Sequence, residues 1–476
     1  MKRASTIVVI VRAMLIAGLM TGSAGVTRAG EPVPTASHAG HCSSPYKKKP
    51  IPAKTLRALV KSHELWLEGR NSLEHQRADL CQADLRQAAL AGVNLERARL
   101  EGVNLRQANL YQSSLGQASL AGADLTKAVL EDSNLSGADL RHARLSGANM
   151  FRSIGDEAAF FNAVLIGAQL HESSYERAHF EGADLSSADL SNANFVDSYF
   201  YGAALQRAIL SGTDLMGADL RRTVLTKANF HRANLQGALL DSAQLDQAKL
   251  VEADMESAYL DETNLRDANL REAILRGADM RFADLRGAGL PQADLEGANM
   301  EGATLVKANL QAAKLRMTIL YQAQFDEADF RDAQLYRAVL IRARGSRANF
   351  TKADLSEIYS PKASLRRAQF NEANLEAANL VAADLSGANF SRANLTHANL
   401  QETNLQDATL TGADLSGARL DSADVSRANL RSATLTSVTG LTQAQLNTTC
   451  VDEQTKLPPE LSRPAPCSTA KKLSKP

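Results

Sequence analysis

Across residues 78–437 one five-residue pattern repeats without an insertion or deletion, giving 72 units centred from Leu80 to Leu435. A large apolar residue holds 69 of the centres: 53 Leu, 10 Phe, 4 Met, Tyr175 and Val425. Two residues before the centre stands Ala in 59 units, and Ser, Thr, Val or Ile in the others. Asp or Asn recurs between them, as in Ala123-Asp124-Leu125 and Ala393-Asn394-Leu395. An α-helix turns about 100° per residue, so a Leu at every fifth position would walk around its surface. A strand alternates with period two and would throw that Leu to opposite faces in successive units. Both small and large apolar positions stay inside only if the chain turns a corner at each unit.

The phenylalanines set the number of corners. Phe160, Phe180 and Phe200 are spaced by twenty, as are Phe330, Phe350, Phe370 and Phe390. Four units per lap stack each set into a ladder at one inter-strand spacing, about 4.8 Å, where aromatic neighbours pack well. Three or five sides scatter them. Gly155 and Gly345 stand where a core Leu is expected, beside Phe160 and Phe350, and the reading is that these larger rings fill the vacancies.

These units resemble the pentapeptide repeat family, whose pattern is a small residue, Asp or Asn, Leu, then two variable positions. The resemblance covers about three quarters of the chain. It implies an all-β fold, a right-handed quadrilateral β-solenoid of about 18 coils and on the order of 85 Å in length, with short α-helical caps at both ends. Inward Leu and Ala make a dry core, and Asp and Asn side chains tie down the turns. Ladders between successive coils must support the fold, so the end coils, with a neighbour on one side only, need covering.

The flanks carry the covers. Residues 1–30 read as an export signal: Lys2 and Arg3, an apolar run interrupted by Arg12, and small residues at Thr27-Arg28-Ala29. Residues 31–53, rich in Pro, Ser and Lys, read as a flexible leader that includes His38 and His41. Residues 54–69 read as a capping helix: Leu56, Leu59, Val60, His63, Trp66 and Leu67 share one face, with Gly69 as the stop. Trp66, the only Trp, reads as a packing residue of that cap. His63-Glu64-Leu65-Trp66-Leu67 also resembles the lead-in found before the repeats in family members. At the other end, 440–468 reads as a capping segment. Gly440 breaks the pattern, Thr442-Gln443-Ala444-Gln445 has capping-box spacing for a helix to about Thr449, and Leu441 and Leu446 cover the last coil. Its Gly440-Leu441-Thr442-Gln443 run, Cys450 and Leu457-Pro458-Pro459 resemble a C-terminal segment of the family. Residues 469–476 read as a disordered tail.

Four cysteines, Cys42, Cys81, Cys450 and Cys467, lie two near each end of the repeat. A long rod holds the ends apart, so the expected bonds are Cys42–Cys81 and Cys450–Cys467, in an oxidising compartment. With no C-x-x-C spacing, no metal or cofactor is expected.

A filled interior sends any function to the outer faces. One face gathers Phe161, Tyr199, Tyr201, Tyr259, Phe282, Tyr321 and Tyr359, joined by Ile319, Val339 and Ile341. This lengthwise stripe is the candidate binding surface, set against a purely structural reading in which the rings only stack between coils. The next face has excess base at its variable positions, including Arg86, Arg106, Arg207, Arg266, Arg286, Arg347, Arg366, Arg367 and Arg427. The face opposite that one is acidic, with Glu96, Glu157, Glu176, Glu256, Glu296, Glu357 and Glu376. Both charged faces read as solvated surface.

No catalytic motif emerges. His75, His142, His171, His179, His231 and His397 form no triad or metal pattern. Lys plus Arg and Asp plus Glu each number 53, so no global charge recruits nucleic acid or a membrane. The expected function is a non-enzymatic periplasmic or secreted scaffold. Its expected partner is another protein or a surface macromolecule, with no nucleic acid and no integral membrane segment after signal removal. Two alternatives stand beside it. Some members of the resembled family imitate DNA and modulate type II topoisomerases, but through strongly negative surfaces. An enzyme site could instead hide where the pattern lapses, at Ile154-Gly155, Arg344-Gly345 or Tyr359-Ser360-Pro361, marked by a concave pocket.

Overall fold

The computed structural model describes residues 42, 44–70 and 76–465. The expected signal segment, Cys467, the tail, His38, His41 and His75 lie outside the described residues.

The backbone hydrogen bonds show why five residues suffice for one side. In the unit 393–397, Ala393 N–H closes the preceding turn on Phe390 O (3.0 Å), and Asn394 N–H reaches one coil back to Ala373 O (2.9 Å). Leu395 and His397 donate one coil forward, to Asp414 O (2.7 Å) and Ser416 O (3.0 Å). The remaining donor, Thr396 N–H, is taken by the Asn394 side chain at 3.0 Å. All five donors are satisfied, which buried or packed backbone demands. The recurrent Asp or Asn is therefore an acceptor for a turn N–H that no carbonyl reaches.

Bridges repeat this arrangement along the chain. Residue 79 pairs with 99, 84 with 104, and so on in parallel through Arg419 and Thr439. Each lap is therefore twenty residues, as the Phe spacing required. Phe160, Phe180 and Phe200 stack at 4.6 and 4.9 Å between ring centres. Phe330, Phe350, Phe370 and Phe390 stack at 4.8, 5.1 and 4.7 Å. The second variable position of nearly every unit lies near φ +55°, as at Gln87 (+57°) and His397 (+59°). For a residue with a side chain that conformation costs about 1–2 kcal/mol, and the bond to the coil above holds it.

Proline follows the same logic. Pro291 and Pro361 both occupy the first variable position, where φ near −65° suits a turn and where the N–H needs the Asp or Asn acceptor. Proline has no N–H to satisfy, and in these two units the acceptor column holds Gly289 and Tyr359.

The lapses in the pattern leave the coil intact. Bridges continue through Ile154, Arg344 and Tyr359. The expectation that Phe160 and Phe350 fill the glycine vacancies is corrected: the filling rings are Tyr175 and Phe325, each one lap away in the glycine's own column. A Cβ on Gly155 would run into the Tyr175 ring, and one on Gly345 into the Phe325 ring. Phe160 and Phe350 instead meet those rings edge-on, at 5.7 and 6.0 Å. Their place is already fixed by their own stacks. Tyr175 is fully buried, and its hydroxyl finds Ser153 Oγ at 2.7 Å. Burial pushes its phenol up, so it stays neutral. At Ser360 the volumes are exchanged within one unit, with Ile358 buried at the small position.

Both ends are covered more thoroughly than the sequence suggested. Residues 31–53 were expected to form a flexible leader, but within them residues 44–52 lie on the first coil's edge. Lys47 bridges Ala83 and Pro50 bridges Asp84, with Lys48 N–H on Gln82 O at 2.7 Å. An open edge with unpaired groups supplies the reason. Helix α1, Ala53–Leu67, follows and buries Leu56, Val60 and His63. His63 Nε2 donates to Glu96 O at 2.9 Å, and its Nδ1 accepts from Ala78 N–H at 3.1 Å. Trp66 stacks on that ring at 5.5 Å, as a packing residue should.

At the C-terminal end the capping box at Thr442 and Gln445 is present, but helix α2 spans only Gln443–Leu446. It stops early because the chain then rejoins the stack: Asn429 bridges Cys450 and Thr434 bridges Lys456. Asp452 accepts the Ser432 N–H at 2.8 Å, which is the leading cause holding its carboxyl down to about 2. Among the described residues no helix is long and apolar enough to cross a membrane.

Two predictions follow from these contacts. Restoring the consensus with Gly345→Leu should destabilise the fold by about 1–3 kcal/mol or more. In a Phe325→Leu background the same change should cost far less, and urea unfolding of the four-variant cycle measures the coupling. Additive losses would contradict the one-lap filling. The second concerns His63, whose pKa burial lowers from its ordinary value of 6.5. The unfolded chain takes up the proton first, so stability is complete above the unfolded pKa and falls as pH drops below it, until the folded pKa is passed. The protection factor of the Ala78 N–H, its exchange rate relative to the intrinsic rate at each pH, should fall as pH drops from 7 to 5 (about the span either side of an ordinary His pKa), and His63→Gln should flatten that dependence.

Candidate binding surfaces

Every outward side chain sits in a column of residues twenty apart, so its neighbours are set by the lap. The expected stripe lies along one such face, where bridges run from His179 through Tyr199, Asp219, Leu239 and Tyr259 to Ile319, Val339 and Tyr359. It divides into three sections with different surroundings.

In the first, Phe161 stacks on His179 at 5.1 Å and His179 on Tyr199 at 4.6 Å. His179 Nδ1 also lies 3.1 Å from Glu181 Oε1. These three rings serve each other across coils, as the structural reading had it. The sequence reading missed His179 as a member because it was sorted with the histidines, although its spacing of twenty from Tyr199 gave the signal. Tyr201 lies beneath the guanidinium groups of Arg221 and Arg222, at 6.0 and 5.8 Å.

The middle section is the most open. Tyr259 is 48% exposed and Phe282 56%. Two carboxylates lie nearby: Asp241 takes the Asp261 N–H at 3.1 Å, and burial pushes both carboxyls above their ordinary range. Asp241 acts for a missing acceptor, since Tyr259 holds the Asp or Asn position of that unit. The same replacement recurs where Asp156 takes Glu176 N–H (2.9 Å) and Asp326 takes Ser346 N–H (2.7 Å). In the third section Ile319, Tyr321, Val339, Ile341 and Tyr359 are half-buried against one another.

The charged faces are largely self-neutralised. Arg86 forks onto Asp84 at 2.8 Å, Arg286 onto Asp284 at 2.6 Å, and Arg331 onto Asp329 at 2.6 Å, each two residues back. Others reach one lap away, as Arg266 to Asp284 (2.6 Å) and Arg427 to Asp407 (2.6 Å). On the acidic face, Glu157 meets Arg177 at 3.0 Å and Glu357 meets Arg337 at 2.9 Å. Arginine beside the Asp column thus explains the balanced composition.

Of the three lapses, the coil at Gly345 carries a shallow, open concavity of about 450 Å³, lined by Asp326, Glu327, Ser346, Arg347, Arg366 and Arg367 among others. It holds no histidine or cysteine, and of its two serines, Ser346 and Ser386, the first commits its N–H to Asp326. Charged recognition fits it better than bond-making. Cys42, Cys81 and Cys450 are all disulfide-bonded.

No curated relative matches the chain. A profile of pentapeptide repeats matches from residue 76 to residue 436, broken only at 153–162 and 359–362, where Gly155 and Ser360 interrupt the apolar column. Among solved structures, HetL from the cyanobacterium Nostoc sp. strain PCC 7120, a pentapeptide repeat protein involved in heterocyst differentiation regulation, is 33% identical. That match covers 51% of this chain and 89% of HetL, with a TM-score of 0.29. QnrB1, a plasmid-mediated fluoroquinolone resistance protein, is 17% identical over 46% of this chain and 89% of its own, with a TM-score of 0.19. A pentapeptide repeat protein of the Arabidopsis thaliana thylakoid lumen is 28% identical over 22% of this chain and 65% of its own, with a TM-score of 0.11. The repeat profile, together with the twenty-residue lap, places this chain in the pentapeptide repeat family, whose members fold as right-handed β-solenoids.

Proposed function

We propose that the protein is an exported, non-enzymatic scaffold that holds a macromolecular partner along its aromatic face. The observation that carries this reading is the open middle section: Tyr259 and Phe282 stand about half exposed on consecutive coils of a face whose core is complete without them. Large rings held on a rigid surface lose little freedom on contact and are the side chains that most often anchor a partner. Disulfide-bonded cysteines and the signal-like residues 1–30 support export. The pairing we propose is Cys42–Cys81 and Cys450–Cys467, which fastens each flank to the end it covers.

Tyr259→Ser with Phe282→Ser should leave the melting temperature nearly unchanged, since surface substitutions usually fall within about 0.5 kcal/mol. The same pair should abolish crosslinks to the native partner in the host envelope, read by mass spectrometry. Retained crosslinks with a lowered melting temperature would instead make the stripe structural. Cell fractionation should find the protein outside the cytoplasm. Peptide mapping without reductant should return the two predicted cystine peptides; a Cys42–Cys450 link would refute the pairing.

A further inference from the structure

In residues 341–347 and 361–367, one lap apart, stand Arg342, Arg344, Arg347, Lys362, Arg366 and Arg367, with no acid in either segment. They form a band that starts at the corner beside Ile341 and Pro361 of the aromatic face and runs across the next face. In six units of the rod, at Asp84, Asp139, Asp219, Asp279, Asp284 and Asp329, an Asp in the acceptor column pairs the arginine two residues on. Here that column holds Arg344 and Ser364, so Arg366 has no carboxylate two residues back. Arg366 reaches Asp384 in the following coil, and Arg347 lies only loosely on Glu327, at 3.7 Å. Arg342, Arg344, Lys362 and Arg367 make no ion pair among the described residues. All four are exposed. The concavity of about 450 Å³ opens on this band.

We propose that this band is a binding site for the carboxylate groups of an acidic polysaccharide. Guanidinium forks match planar oxyanions in pairs, and two arginines one lap apart, Arg347 and Arg367, present such forks side by side. The acids Asp326, Glu327 and Asp384 bound the band before and after, so it accommodates a few anionic groups and lacks the extended cationic track that a nucleic acid needs. Around the corner on the same coils, the half-exposed Tyr321, Ile341 and Tyr359 offer a flat apolar surface for the C–H face of a sugar ring. A linear acidic glycan can lie on both surfaces at once. The assignment builds on the reading of the outer faces as binding surfaces, but uses different residues from its most exposed rings.

Calorimetric titration of the full chain with oligogalacturonate, neutral dextran oligosaccharide, inorganic phosphate and a DNA duplex tests it. Oligogalacturonate should bind, more tightly at low than at physiological ionic strength, and the neutral dextran should not. Arg344→Ser with Arg367→Ser should weaken it roughly tenfold or more while leaving the melting temperature unchanged, because neither side chain pairs within the fold. Tyr259→Ser with Phe282→Ser should leave this binding intact, which separates its failure from failure of the aromatic-face reading. Equal binding of the neutral sugar, unchanged affinity in the arginine variant, phosphate binding as tight as the oligosaccharide, or tighter binding of DNA would each overturn the assignment.

Discussion

Each unit of the fold contains one hydrogen bond that the backbone does not make with itself. Of the five N–H groups in a unit, four find carbonyls in the turn or in the adjoining coils. The fifth, at the first variable position, points where no carbonyl is available. A short side-chain acceptor two residues earlier satisfies it in the 37 of 72 units that hold Asp or Asn there, since Asp or Asn has the right reach. Burying the small and large apolar side chains explains which residues face inward. The acceptor explains why the residue between them is polar, and why a proline in the turn releases that position to Gly289 or Tyr359.

This division determines what could be read from the chain beforehand. The lap length was legible because stacked Phe rings repeat every twenty residues, and the turns were legible because Asp and Asn recur. The N-terminal helix and the C-terminal capping box were legible from local spacing. What escaped was partnership between columns. Gly155 was judged against its sequence neighbour Phe160, whereas space in a solenoid is shared with the residue one lap away, Tyr175. The rejoining of Cys450 and Lys456 to the stack escaped because residues 440–456 depart from the five-residue frame while still meeting its edge. The aromatic stripe was legible as a set of columns, but its division into a self-stacked section around His179 and an open one at Tyr259 needed side-chain geometry.

Separating core from surface also leaves the outside unusually free to vary. An outward side chain touches its own turn and the residues one lap before and after, and little else. Substitutions there change the surface without disturbing the Leu and Ala columns. Structural uses of the surface, such as the Phe161, His179 and Tyr199 stack, are recognisable because neighbouring members of the column complete them. Tyr259 has no ring partner in its column and Phe282 lies only over Gly302, and both stay about half exposed. The contrast between completed and uncompleted columns separates fold from function better than residue type does.

The same reasoning accounts for a place where the charge balance of the rod gives way. An Asp in the acceptor column serves two roles, since it satisfies the turn N–H and neutralises an arginine two residues on, as Asp84 does for Arg86. Arg344 in that column removes the first, and Ser364 one lap on removes the second from Arg366. Asp326, one coil earlier, restores the first by accepting Ser346 N–H, but leaves the neighbouring guanidinium groups of Arg344 and Arg367 without a carboxylate. The backbone is therefore fully bonded at this turn while the surface is locally cationic. Moving the acceptor to another coil is what allows a charged surface to exist here without weakening the turn beneath it.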